Sequence, residues 1–205
     1  MISVITGDII HSKLHRPDLW LETLKTLLED SSDIVGQWDI YRGDEFQIEV
    51  PDAENGLLMA LLIKSAVKKT PTLDVRMSIG IGEKSYKGKK VSESNGPAFV
   101  HSGEQLAGMK KQKINMLFKS GNELLDKELN IIIKLGSVIW DNWSEVSAEL
   151  ALMLLQNPNQ VQGKIAQTLG IKQAAVSQRF KRAEMALVLE TEKYFKDRIL
   201  NFKNE

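Results

Sequence analysis

Residues 34–50 read IVGQWDIYRGDEFQIEV. Two β-favouring stretches, 34–41 and 46–50, flank the polar turn Arg42-Gly43-Asp44-Glu45, a pattern that predicts a hairpin. A hairpin implies a sheet, and its other strands lie to either side in the sequence. Residues 3–10 form a β-branched run interrupted by Gly7-Asp8, which predicts a buried strand ending in a polar turn. Between this strand and the hairpin, residues 16–30 place Trp20, Leu24, Leu27 and Leu28 at helical spacing. After Pro51 a helix carries Leu57, Leu58, Leu61, Leu62 and Ala66, and residues 73–82 alternate as a strand with Val75, Met77, Ile79 and Ile81 on one face. Lys84, Lys87, Lys89 and Lys90 then mark a solvated hairpin tip around Gly88. Pro97 starts a helix over residues 98–109, residues 114–118 form a last short strand, and Ser120-Gly121-Asn122 punctuates the end.

From Glu123 onward the pattern is helical: residues 124–140, 144–156, 160–169, and one long helix from 172 to about 195. Asn157-Pro158-Asn159 breaks two of these, because proline lacks an amide donor and restricts its predecessor. The expected organisation is an α/β domain over 1–121, a helical connector over 122–143 and an all-α domain over 144–205.

The chain of 205 residues is 42% hydrophobic and 26% charged, which excludes disorder and fibrous arrays. Without cysteine there is no disulfide framework, thiolate metal site or cysteine nucleophile. The start MISVITGDII lacks the layout of a signal peptide, and no apolar run approaches the ~20 residues of a membrane span. A soluble cytoplasmic protein with no membrane partner is expected.

Residues 162–182 read QGKIAQTLGIKQAAVSQRFKR. A helix-turn-helix requires a small residue where its helices cross, a glycine in the turn and apolar residues that fix the angle. Ala166, Gly170, Ile165, Leu169, Ile171 and Val176 stand in those places, and the segment resembles the DNA-binding helix-turn-helix of bacterial regulators. The second helix then exposes Lys172, Gln173, Ala174, Ser177, Gln178 and Lys181, suited to base edges and phosphates, and Lys164, Arg179 and Arg182 complete the expected DNA-binding set. The plainer alternative is a pair of helices closing a bundle. Against it, residues 160–182 hold five basic side chains and no acidic one. Leu187, Leu189, Tyr194 and Phe195 on the long final helix are expected to bury against a second subunit. A homodimer would set two recognition helices about 34 Å apart on double-stranded DNA.

Asp8 ends the first strand and Asp44 sits in the hairpin turn. Neighbouring aspartates repel unless a cation lies between them, which is why such pairs hold magnesium with nucleotide phosphates. The surrounding ITGDIIHSK and YRGDEFQIEV resemble the two acidic motifs of class III nucleotidyl cyclases and GGDEF diguanylate cyclases. That resemblance implies a palm-like, ferredoxin-like sheet covered by helices. It also implies Mg or Mn held by Asp8, Asp44 and the Ile9 carbonyl, with Ser12, Lys13, Arg42 and Gly43 near the phosphates of a nucleoside triphosphate. Turn chemistry for Gly43-Asp44 and a capping role for Asp8 are the plainer alternatives. Together the segments Gly7-Asp8-Ile9-Ile10-His11-Ser12-Lys13, Gly43-Asp44-Glu45-Phe46-Gln47, Arg76 through Gly82 and Asn95-Gly96-Pro97-Ala98, with the helix-turn-helix, resemble the SatD-like bacterial family. Asn95 departs from that family's aspartate.

The expected function is a DNA-binding transcriptional regulator of SatD-like type, whose cyclase-like part senses a nucleotide or metal. A Mg-dependent nucleotidyl cyclase or transferase and a degenerate dimerisation scaffold are the alternatives. The net charge of zero, from 27 basic and 27 acidic residues, conceals the basic stretch and does not argue against DNA.

Overall fold

The hairpin joins β2 (Trp38–Tyr41) and β3 (Glu45–Val50) antiparallel, with Trp38 opposite Ile48 and Tyr41 opposite Glu45. The computed structural model describes residues 1–41 and 43–204, with all their side chains except that of Leu19. β1 (Ile2–Ile10) pairs antiparallel with β3 on one side and with β4 (Asp74–Gly82) on the other, and β5 (Met116–Lys119) runs parallel to β4. The sheet order is β2-β3-β1-β4-β5. β1 is therefore paired along both edges and covered on both faces, which explains a run apolar on alternate and intervening positions alike.

Helices make the crossovers: α1 (Asp18–Asp30) between β1 and β2, α2 (Gly56–Lys68) between β3 and β4, and α3 (Pro97–Gln112) between β4 and β5. Side chains alternate along the strands. Ile5, Ile9, Val75, Met77 and Ile79 join α1 and α2 in the main core, while Val4 packs with Val91, Ala98 and Phe99 on the α3 side. Contact with α3 is close enough to dictate a glycine. A Cβ on Gly80 would lie 2.4 Å from the Ala98 carbonyl oxygen and the Ser102 nitrogen.

α4 (Glu123–Trp140) begins at Asn122, whose side chain accepts from the N–H groups of Leu124 and Leu125. Further along it, the Asn130 amide accepts from the Phe118 N–H at 2.9 Å and donates to the Phe118 carbonyl at 2.8 Å, satisfying one residue of the β5 edge. α5 (Glu145–Gln156) is capped by Ser144 and lies against α2. α6 (Gln162–Leu169), α7 (Gln173–Arg182) and α8 (Met185–Asn204) follow. Eleven of the thirteen α2 residues are buried, because the sheet covers one side of this helix and α5 the other. A single apolar cluster consequently runs from Ile5 to Ile199.

Two expectations are corrected, the single long helix and the place of Phe195. The helix read over residues 172–195 breaks between α7 and α8, where Glu184 adopts a left-handed φ of 51°. The Ala183 carbonyl accepts from Trp143 Nε1 at 3.0 Å, so this group serves the tertiary structure at the point of the break. In the lysine-rich segment Lys87, Lys89 and Lys90 are exposed as expected, while Gly88 is buried and Lys84 lies 2.5 Å from Glu49 of the hairpin. Phe195 packs within its own chain, its ring edge-on to Phe118 at 5.5 Å and 88°, while Leu187 and Tyr194 remain exposed. Among the described residues, no helix is long and apolar enough to cross a membrane.

Candidate functional site

Register decides what meets Asp8. In the β1–β4 ladder Asp8 stands opposite Arg76, on the α3 side of the sheet. Arg76 Nη1 donates to both Asp8 oxygens, at 3.0 and 2.9 Å. Burial pushes the Asp8 carboxyl up and the Arg76 guanidinium opposes this; Asp44 adds repulsion and Lys110 a smaller attraction. The net effect is a carboxyl above its usual range.

On the other side of β1, Asp8 faces Glu45 in register, and the Ile9 N–H donates to the Asp44 carbonyl at 3.0 Å. The Asp44 side chain accepts from the Ser12 hydroxyl at 2.5 Å. Ser12 and Lys13 lie in a short 3-10 turn after β1, entered through a left-handed His11. With Gly43 and Asp44 they line a shallow cavity of about 410 Å³ closed by Trp20. Ser12, Lys13, Gly43 and Asp44 are thus brought together; Arg42 lies outside the described residues. Asp8 and the buried Ile9 do not line that cavity.

A divalent ion shared by Asp8 and Asp44 would need free carboxylate oxygens. Both Asp8 oxygens already take Arg76, and one Asp44 oxygen takes Ser12. No group of three or more His, Asp or Glu suited to a metal occurs among the described residues. As arranged, the Arg76 guanidinium competes with a shared metal for Asp8, because its charge and hydrogen bonds already serve that carboxylate. Sequence reading missed this role of Arg76, whose only signal is its place on the polar face of an alternating strand.

In the carboxy-terminal helices, Gly170 adopts a φ of 64° and ends α6, and the Ile171 N–H donates back to the Ala166 carbonyl at 3.0 Å. Ile165, Ala166 and Val176 are buried where the helices meet. Lys164, Lys172, Gln173, Ala174, Gln178, Lys181 and Arg182 are exposed, and Ser177 is half-buried. Arg179, also expected among the DNA-binding residues, is half-buried. It pairs with Glu149 of α5 at 3.3 Å and thereby ties α7 to the core. Trp140 and Trp143 are both buried packing residues.

The comparisons bear on the whole chain. Searches of curated proteins and of solved structures each found no significant match. The SatD family model matches residues 1–199. The chain, with its five-stranded sheet and appended helices, belongs to the SatD family.

Proposed function

We propose that this protein is a DNA-binding transcriptional regulator in which α6 and α7 form a helix-turn-helix and α7 enters the major groove. One observation carries the reading. α7 is anchored through Val176 and the Arg179–Glu149 pair, while Gln173, Gln178, Lys181 and Arg182 face solvent with no acidic residue between positions 160 and 182. Gln173 and Gln178 have the donor and acceptor pair that reads adenine, and Lys181 and Arg182 the charge that neutralises phosphates.

The protein acts as a homodimer in this proposal. α4 exposes Leu124, Ile131, Leu135 and Val138. Leu124, Ile131 and Val138 recur at seven-residue intervals, the spacing of a coiled-coil seam, which is self-complementary about a two-fold axis. A two-fold axis is what paired half-sites require. The amino-terminal part serves as a sensor, the order β2-β3-β1-β4 and the crossovers α1 and α2 supporting the palm-like reading. A metal-dependent cyclase reaction forms no part of the proposal, because Arg76 engages both oxygens of Asp8.

The test is binding of the full chain to a randomised duplex pool, followed by salt titration on the selected sequence. Lys181→Ala with Arg182→Ala should weaken binding to all duplexes and lower the salt slope by up to about two units. Gln173→Ala and Gln178→Ala should change the preferred sequence. No selection from the pool, or a slope unmoved by the double substitution, would overturn the reading.

A further inference from the structure

A second cavity, of about 500 Å³, opens where the C-terminal end of β1, the start of β4 and the end of α3 meet the turn between α4 and α5. Its walls include Arg76, Lys110, Lys113, Asp74, Trp143 and Glu145. None of Ser12, Lys13, Gly43 or Asp44 lines it, so it is separate from the cavity beside the hairpin turn.

The charges here do not cancel. Asp74 is already matched, with Lys64 at 2.6 Å and Lys68 at 3.6 Å. Arg76 gives Nη1 to Asp8, yet its Nε is buried with no hydrogen-bond partner. The guanidinium as a whole is one wall of the cavity. Lys110 and Lys113 are exposed at the end of α3 and have no ion-pair partner among the described residues. Glu145, exposed in the first turn of α5, is the one carboxylate of the wall without such a partner. Two ammonium groups outside any ion pair of the described residues and the Arg76 guanidinium therefore share the wall with one exposed acid, and Lys110 also attracts the nearby Asp8.

We propose that this cavity binds a small anion carrying two or more phosphate groups. Two lysines act as movable point charges, and the arginine adds a fixed donor, a combination suited to the several oxygens of a condensed phosphate and more than a single carboxylate needs. The volume is in the range of small-molecule sites. His11, Thr72 and Lys113, three of the four described non-glycine residues with left-handed backbone, sit on its rim.

The location gives binding a consequence. Trp143, in the cavity wall, donates to the carbonyl of Ala183 at the end of α7, and Ser144 beside it caps α5, the helix that holds Arg179. An anion seated here contacts the hinge on which the DNA-facing helix rests. The binding claim stands apart from the DNA reading, and either can fail alone.

Calorimetry and thermal shift on the full chain test it, with tripolyphosphate, ATP and GTP as probes. Wild type should bind tripolyphosphate saturably. Lys110→Ala with Lys113→Ala should bind at least about tenfold more weakly. Lys111→Ala, on the same helix but outside the cavity, should bind like wild type, which separates the site from general surface charge. Tighter binding of ATP or GTP than of tripolyphosphate identifies a nucleotide as the source of the phosphates, and equal binding identifies inorganic polyphosphate; both support the proposal. Absence of saturable binding by all three probes, or equal affinity in wild type and the double variant, would overturn it. Neither result changes the outcome of the duplex selection.

Discussion

Lys64 of α2 donates to Asp141, at the end of α4, across 2.5 Å, with only 1% of the lysine side chain exposed. The same ammonium lies 2.6 Å from Asp74 on β4, so one buried cation joins the sheet to the appended helices. Removing one member of a buried ion pair leaves its partners as uncompensated charge. Lys64→Ala should therefore destabilise the protein by about 3–5 kcal/mol, read from urea unfolding. A loss below about 1 kcal/mol would mean that water reaches the two aspartates and screens them.

Glu128 of α4 is held below the usual carboxylate range, first by the hydrogen bond from Arg198 and next by that from Tyr194. A depressed folded-state value stabilises the fold above the ordinary value of 4.5, and this contribution is lost as pH falls through the lower folded value. The stability gap between wild type and Glu128→Gln should be constant near neutrality and close on acidification. Thermal unfolding across that range checks it; a gap that widens toward acid would contradict the assignment.

Gly80 belongs to the Arg76 through Gly82 motif, yet its neighbours are the Ala98 and Ser102 backbone and not a ligand cavity. Gly80→Ala forces α3 away from β4 and should cost about 1–3 kcal/mol. Amide exchange along α3 should accelerate in the variant. Unchanged stability would show that the helix shifts freely.

Arg179 is a positioning residue in the DNA reading, because it is paired with Glu149. Glu149→Ala should free the guanidinium and steepen the salt slope of DNA binding by up to about one unit. Arg179→Ala should weaken binding while leaving the slope near its wild-type value. A slope reduced by about one unit in Arg179→Ala would place this side chain on a phosphate instead.

Ile131 and Leu135 lie exposed on α4. Ile131→Glu with Leu135→Glu should convert a dimer into a monomer in sedimentation experiments, without loss of secondary structure, since neither side chain is in the core. A wild-type chain that sediments as a monomer would remove the pairing proposal and leave the single-copy DNA experiment to stand by itself.

Much of the sheet is legible because burial imprints a local period. Val75, Met77, Ile79 and Ile81 announce β4, and the stretch after Pro51 announces α2. Features settled by distant partners are not legible. Nothing near Ala183 says that Trp143, forty residues earlier, will take its carbonyl, so residues 172–195 read as one helix while the chain turns at Glu184. Asp8 reads as a cation site until the register sets Arg76 opposite it. Lys110 and Lys113 look like an ordinary solvated helix end, and only the approach of the turn at Trp143 gives them a wall to share.

The enclosure of α2 also bears on how such a chain can change over evolutionary time. A helix with apolar contacts on both sides cannot lose the segment on either side without exposing a greasy face to aggregation. Exchange of the terminal helices for another module would therefore have to be accompanied by substitutions in α2 itself. The sheet and the terminal helices are bound to be inherited as a unit, and replacement is freest at the outward residues of α7, where it disturbs no shared core.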